Sequence, residues 1–223
     1  MKVKEFSSQP IPTPYTGHRG TIGGLQAAAK RAMDVAGAAV GLPLLAPLMI
    51  ATAVLIKLDS PGPIIFTQKR VGENGKVFKI LKFRTMVANA EELLDALIDL
   101  DALEEPAFKL KNDPRVTRLG RFLRRWSIDE LPQLLNVLKG EMSLVGPRPE
   151  EERIVKRYTA WHCLRLTARP GITGPVQING RGDLALKERV RLEVNYINNY
   201  SLWTDIKILV KTIPVVILGN GSY

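Results

Sequence analysis

The longest uniform stretch of the chain is apolar: residues 35–56 read VAGAAVGLPLLAPLMIATAVLI, 22 positions without a charge between Asp34 and Lys57. As one helix the run would measure about 33 Å, enough to cross a hydrocarbon core of roughly 30 Å. Pro43 and Pro47 sit near its middle and deprive the carbonyls of Ala39 and Pro43 of their helical donors. Four residues apart, the prolines share a face, so their kinks add. Basic residues flank both ends, Lys30 and Arg31 before and Lys57, Lys69 and Arg70 after, and such flanks favour the cytoplasmic side. The pattern predicts a re-entrant helix-break-helix over residues 25–57 with both ends on one side. A bent span with a large translocated domain is the alternative. Gly37 and Gly41 either mark a helix-pairing face or ease close packing. The run starts too late for a signal peptide, and the small-x-small triplet Ala51 to Ala53 lies inside it.

Residues 1–24 are rich in Pro, Gly, Ser and Thr without apolar period, and read as a flexible tail. Beyond the run, LDSPGP (Leu58 to Pro63) predicts a turn. IIFTQKRVG and KVFKILKFRTM then flank Glu73-Asn74-Gly75, a strong hairpin signal. This ribbon carries Lys69, Arg70, Lys76, Lys79, Lys82 and Arg84, either a solvated charged face or a grip on lipid headgroups or a phosphorylated ligand. Residues 88–105 hold seven acids and no Lys or Arg at helical spacing, a solvated amphipathic face in preference to a divalent-ion site.

The segment from Asn112 to Pro149 is the most informative. Arg115, Arg118, Arg121 and Arg124 recur every three residues, one stripe wherever the chain is helical. Leu131, Leu134, Leu135 and Leu138 follow the spacing of a buried helix face, Gly140 supplies a left-handed stop, and Pro132 suits a first turn, which puts the helix start near Asp129. Ser127-Ile128-Asp129-Glu130 matches a capping box, the structural reading of these acids. In the chemical reading Asp129 is a nucleophile and Glu130 offers oxygen to a hard cation such as Mg2+, beside arginines that neutralise phosphoryl oxygens. Plain salt bridges to those arginines fit the pattern as well.

Charge narrows the classes. The 223 residues carry 32 Lys plus Arg against 22 Asp plus Glu, a net charge of +10, and without the acidic stretch the balance is 32 against 15. Such an excess suits an anionic membrane surface, nucleic acid or phosphorylated substrates. One cysteine, Cys163, and two histidines, His18 and His162, build neither a disulfide framework nor a zinc site of paired cysteines and histidines, and His162 and Cys163 read as packing residues. A nucleic-acid-binding protein explains the pI of about 9.8 but not the apolar run. A noncatalytic membrane scaffold explains the run but not the Asp-Glu pair with Gly146-Pro147-Arg148-Pro149.

KRAMD before the apolar run, DSPGPIIFTQKRVG, FKILKFRTM, the segment from Asn112 to Pro149 and RPGITGPVQINGR together resemble the bacterial sugar transferases, monotopic polyprenol-phosphate phosphoglycosyl transferases, over residues 29–223. The resemblance implies transfer of a sugar-1-phosphate from a nucleotide diphosphate sugar, usually UDP-linked, to undecaprenyl phosphate at the cytoplasmic face of the bacterial inner membrane. Asp129 resembles the family nucleophile, which forms a covalent phosphosugar intermediate, and Glu130 the neighbouring Mg2+-associated acid. Arg148 matches the family-motif arginine expected to contact a phosphate, and Arg124 a supporting arginine. Lys82, Arg84 and Arg169 are further substrate-pocket candidates. Pro47 resembles the helix-breaking proline of the membrane segment, with Pro43 sharpening the bend.

Two departures stand out. Ala46-Pro47 replaces the Ser-Pro common at the membrane break, and Thr173-Gly174-Pro175-Val176-Gln177 lacks the aromatic of the motif often read as TGWAQ. The closing IPVVILGNGSY resembles short members linked to exopolysaccharide assembly, a hint of galactose or glucose. In WTDIKILVKTIPVVIL, Trp203, Ile206, Val210 and Ile213 fall near one side, for a headgroup boundary or for core packing, and Pro214 should bend or end the helix. The expected fold is mixed α/β and mainly helical, with a re-entrant membrane helix, a short β-hairpin, interfacial amphipathic helices and a cytoplasmic catalytic domain over residues 58–223. The expected partners are a UDP-hexose, undecaprenyl phosphate and an anionic membrane, with no nucleic acid; homo-oligomer formation is compatible with the sequence.

Overall fold

The computed structural model describes residues 24–90, 92–93, 113–180 and 184–219. Most of the flexible-tail assignment and most of the acidic stretch therefore lie outside the described residues. Helix α1 (Gly24–Asp59) contains the apolar run. Then follow β1 (Ile65–Val71), β2 (Val77–Phe83), α2 (Arg118–Arg125), α3 (Gln133–Lys139), β3 (Ser143–Val145), β4 (Glu150–Glu151), α4 (Glu152–Val155), α5 (Ala160–Cys163), β5 (Gly171–Thr173), α6 (Pro175–Ile178), α7 (Leu186–Asn198) and α8 (Leu202–Leu218). The result is a mixed α/β structure, mainly helical, with two small sheets.

Helical conformation continues through Pro43 and Pro47, in place of the expected break at those residues. A proline removes one amide donor and crowds the turn before it, which bends a helix without ending it where both arms are held. Both arms of α1 are held. Ala38 is buried with Phe78, Ile80, Leu134, Val137 and Met142, with Leu42 and Leu45 packed alongside. Ile56 is buried with Phe83 and Leu123, flanked by Met49 and Ala53. Spacings of three and four place these residues on one stripe. The opposite side, including Val40, Leu44, Leu48, Ile50, Val54 and Leu58, is exposed. Among the described residues α1 is the one helix long and apolar enough to cross a membrane.

Polar contacts fix the two ends. Lys30 Nζ donates to Val145 O at 2.9 Å and pairs with Asp205 Oδ2 at 2.6 Å. Arg31 donates to the carbonyls of Val137 and Leu138, at the C-terminus of α3, where a cation complements the helix dipole. Asp34 Oδ1 accepts from Ser143 Oγ and Leu144 N, both at 2.9 Å. At the far end Arg84 donates to Ser60 O at 2.6 Å, Pro61 O at 3.0 Å and Ile56 O at 3.4 Å.

The hairpin forms as its turn residues dictate. Asn74 and Gly75 both take left-handed backbone, with φ of 54° and 79°, and the strands pair from Ile65 with Phe83 to Val71 with Val77. Strand β4 adds to β1 antiparallel, a third strand that the periodicity did not announce. A second sheet pairs β3 and β5 in parallel. Two glycines permit that approach: a Cβ on Gly171 would meet Gly146 N at 2.1 Å, and one on Gly146 would meet Arg169 O at 2.3 Å. The Gly146-Pro147-Arg148-Pro149 segment is thereby held against Arg169-Pro170-Gly171.

Several local expectations need correction. Helix α3 starts at Gln133 rather than Asp129, preceded by a 3-10 turn over Ile128–Glu130. Ser127 has φ of 54° and makes no capping hydrogen bond, because a left-handed residue there turns its side chain away from the amides it was expected to cap. Leu135 is 40% exposed while Gln133 and Asn136 take inner positions beside Leu134, Asn136 because its side chain bonds the backbone of β2 at Leu81 N and Lys79 O. Arg115 precedes α2 and pairs with Asp113 at 2.6 Å, so it does not join the arginine stripe. Pro214 does not end α8, which runs on to Leu218 and the left-handed cap Gly219. Trp203, Ile206, Val210 and Ile213 of that helix are exposed, so they are not core residues. Gly140, at φ 82°, caps α3 as expected. Cys163 is packed with Val71, Val155, Tyr158 and Leu166, and His162 completes a capping box with Thr159.

Candidate active site

Three segments distant in sequence converge. Strand β2 carries Lys82 one residue before its end, the 3-10 turn before α3 carries Asp129 and Glu130, and the loop between β3 and β4 carries Arg148. The turn is set by Ser127, a non-glycine residue in left-handed conformation, a sparsely populated region that clusters at functional sites. Lys82 Nζ donates to Glu130 Oε1 at 2.9 Å and Arg148 NH2 to the same oxygen at 3.1 Å. Among the described residues no side chain or amide hydrogen-bonds to the Asp129 carboxylate, although Asp129 is buried.

This asymmetry separates two adjacent acids. Burial raises the pKa of Asp129 to about 6, with Glu130 adding to the rise and Lys82, Arg124 and Arg148 opposing it. At Glu130 burial is again the largest single influence and raises it, but Lys82 and Arg148, through charge and hydrogen bonds together, overcome burial and hold the carboxyl at about 2. Glu130 is thus a committed anion. Asp129 is a desolvated carboxylate without a donor on it, ionised near neutrality and more reactive for lack of hydrogen bonds.

Arg124 completes the electrostatics from α2. Its Nε donates to Thr85 Oγ1 at 2.9 Å, and burial lowers its pKa while the charge of Asp129 works against that. Arg148 is raised, chiefly by Glu130. The cleft beside Glu130 is lined by Arg70, Ile80, Lys82, Gln133, Arg148 and Gly171 and encloses about 20 Å³, room for one water. A larger cleft of about 710 Å³, bounded by Trp161, Asn179, Leu184, Glu188, Arg191 and Asn195, shares no residue with the acid pair.

Of the sequence candidates, Asp129, Glu130, Lys82, Arg148 and Arg124 come together. Arg84 does not: its guanidinium is taken up by carbonyls at the end of α1. Arg169 pairs with Glu73 at 3.4 Å near the hairpin turn. Pro43 and Pro47 lie in α1. Sequence reading missed the buried ions behind Arg148. Arg165 NH2 donates to Arg148 O and to Glu193 Oε1, each at 2.9 Å. The available signal was Glu193 itself, a charge at core spacing with Leu186, Val190 and Ile197 on α7.

Among the described residues no cluster of three or more His, Cys, Asp or Glu side chains is poised to hold a metal. The two adjacent carboxylates fit a hard cation of another kind, one held by one or two acids together with substrate phosphates. A model of one protein family aligns with residues 25–219. The chain belongs to the bacterial sugar transferase family. It is similar to the exopolysaccharide production protein ExoY of Rhizobium meliloti, 46% identical over 222 residues and 97% of each chain. It is also 46% identical to the undecaprenyl-phosphate galactose phosphotransferase of Salmonella typhimurium, over 87% of this chain and 41% of that one. The undecaprenyl-phosphate glucose phosphotransferase of Komagataeibacter xylinus is 44% identical over 87% of this chain and 37% of that one. The chain thus spans nearly all of the ExoY protein but about two fifths of either phosphotransferase.

Proposed function

We propose that this sugar transferase moves a sugar-1-phosphate from a nucleotide diphosphate sugar, a UDP-hexose, to undecaprenyl phosphate through a covalent intermediate on Asp129, initiating assembly of an exopolysaccharide or related glycoconjugate. The observation that carries the reading is the unequal treatment of the acid pair: both cations bond to Glu130 and none to Asp129. In the first half-reaction a carboxylate oxygen of Asp129 attacks the sugar-bearing phosphorus, the bond from that phosphorus to the bridging oxygen breaks, and the nucleoside monophosphate leaves with the electron pair. In the second, an oxygen of the lipid phosphate attacks the same phosphorus, and the aspartyl carboxylate is released. Lys82 and Arg148 exchange Glu130 for phosphoryl oxygens during entry and stabilise the charge that builds there. Glu130, with the donor's phosphates, would hold Mg2+, which when bound neutralises phosphoryl charge.

The covalent step suits the location, because a water-soluble donor and a lipid acceptor then occupy the site in turn. The membrane reading rests on two exposed apolar surfaces, the outer side of α1 and the face of α8 formed by Trp203, Ile206, Val210, Ile213 and Ile217. The Lys30–Asp205 ion pair joins these two helices. Lys207 lies over the Trp203 ring at 5.6 Å, the aromatic and cationic pairing suited to a headgroup boundary. In this reading α1 bends at Pro43 and Pro47, dips into the inner membrane and returns, keeping the site on the cytoplasmic face. The test is nucleoside monophosphate release by the full chain in nanodiscs with undecaprenyl phosphate, Mg2+ and a panel of UDP-sugars. Turnover with a UDP-hexose that drops at least a thousandfold in Asp129→Asn is expected; normal turnover of that variant contradicts the mechanism.

A further inference from the structure

Two buried donors at the edge of the site have no acceptor. Gln133, the first residue of α3, is 2% exposed, and its Nε2 makes no hydrogen bond; the Nε of Arg70 is likewise buried and unbonded. Both side chains line the cleft that holds Lys82, Glu130 and Arg148. A buried donor left unsatisfied is costly, and in a native protein such a group calls for an explanation. Here two occur in one cationic cleft.

The remaining contacts of Arg70 keep its fork in place. Gln68 Oε1 accepts from NH2 at 2.6 Å, Pro149 O accepts from NH1 at 3.3 Å, and Glu151 pairs with NH2 at 3.5 Å. Gln68 and Arg70 alternate with outward residues on β1, and pairing sets them on the same side of the sheet as Ile80 and Lys82 of β2. Arg70 therefore presents its free Nε to the cleft from a rigid strand, and Gln133 presents its amide from the helix that follows the acid pair.

We propose that Gln133 and Arg70 form a phosphoryl-oxygen subsite, in which Gln133 Nε2 and Arg70 Nε each donate to a phosphate brought to Asp129. This inference rests on the phosphoglycosyl transfer reading for its ligand and extends the site beyond Lys82 and Arg148. The chemistry is shared by the diphosphate of the nucleotide sugar and the phosphate of the lipid acceptor. Gln68 is a positioning residue, acting through the guanidinium that it orients.

The experiment separates a ligand role from a packing role by stability and by binding. Gln133→Leu keeps the shape and removes the unsatisfied donor, so its thermal midpoint should equal or exceed that of the wild type. Its affinity for inorganic pyrophosphate or inorganic phosphate, titrated calorimetrically on the full chain in nanodiscs, should fall about tenfold, the equivalent of one lost hydrogen bond to an anion. Arg70→Lys, which retains charge but loses Nε, should weaken the same anion, and Gln68→Met should do so to a smaller extent. Turnover kinetics then identify the source. A raised KM for the nucleotide sugar alone assigns the subsite to the donor, and a raised KM for undecaprenyl phosphate alone assigns it to the lipid. Wild-type anion affinity in both Gln133→Leu and Arg70→Lys, or no binding of either anion by the wild type, overturns the inference. These titrations need no turnover, so failure of the transfer reading would show separately, as absence of nucleoside monophosphate release by the wild type.

Discussion

Glu193 accepts the backbone N–H of Arg148 at 2.9 Å, across 45 residues of sequence. Its buried charge is balanced by Arg165, which also donates to the Arg148 carbonyl. One ion pair thus grips the backbone of the site arginine from both sides. Glu193→Ala would leave Arg165 buried without its main counter-charge and remove the acceptor for the amide. The expected loss is about 3–5 kcal/mol in denaturant unfolding, and a loss below about 1 kcal/mol would show that the pair does not hold this loop.

The start of α1 depends on a similar device. Lys30→Met would strand the Asp205 carboxylate, which is fully buried and would keep only the hydroxyls of Tyr196 and Tyr200. Destabilisation of about 3–5 kcal/mol is expected. Lys57→Met at the other end removes one exposed bond to Gly62 O and should change stability by less than about 0.5 kcal/mol. Equal effects from the two substitutions would contradict the distinction.

Acid should loosen the sheet edge. Burial raises the pKa of Glu150, but Arg189, Arg165, Arg70 and Arg148 outweigh it and hold the carboxyl at about 2. A carboxyl depressed in the folded state contributes stability that is fully present above its ordinary value near 4.5 and is lost as pH falls toward 2. The contribution is on the order of 3 kcal/mol. The thermal midpoint of the wild type should drop over that window, and the drop should be shallower in Glu150→Gln. Parallel profiles would exclude this group as the cause.

Much of the architecture was legible where the cause is local. Asn74-Gly75 supplies its own turn, Gly140 its own cap, and an uncharged run of 22 residues can hardly avoid being a long helix. Arg124 belongs to an arginine ladder that the sequence already sets near Asp129, whereas Lys82 and Arg148 could be tied to Asp129 only through a family resemblance, because nothing in their spacing says which elements meet. Arg84 illustrates the limit: two residues after Lys82, where strand alternation would keep it on the same face, it looked like a phosphate ligand, yet β2 ends at Phe83 and the carbonyls at the end of α1 take up its guanidinium instead. Ser127 shows another, since a capping pattern states which hydrogen bond is available and not whether the backbone will turn left-handed first. Strands as short as β3 and β5 follow from two glycines that allow close approach, which no periodicity encodes.

The re-entrant path proposed for α1 predicts that both its ends face the cytoplasm. Gln26→Cys and Asp59→Cys place exposed thiols near the two ends, while the native Cys163 is buried. A membrane-impermeant maleimide should label both in inverted inner-membrane vesicles and neither in intact spheroplasts. Labelling of one from each side would establish a span.

The covalent intermediate is the most exposed part of the account. Intact-mass and peptide mass spectrometry of the full chain, mixed with Mg2+ and the UDP-hexose that the donor panel selects but no lipid phosphate, should find one hexose-1-phosphate on the peptide containing Asp129. The adduct should disappear when undecaprenyl phosphate is added and be absent from Asp129→Asn. An adduct on any other residue, or full turnover by a chain on which none forms, would contradict the assignment of Asp129 as the nucleophile.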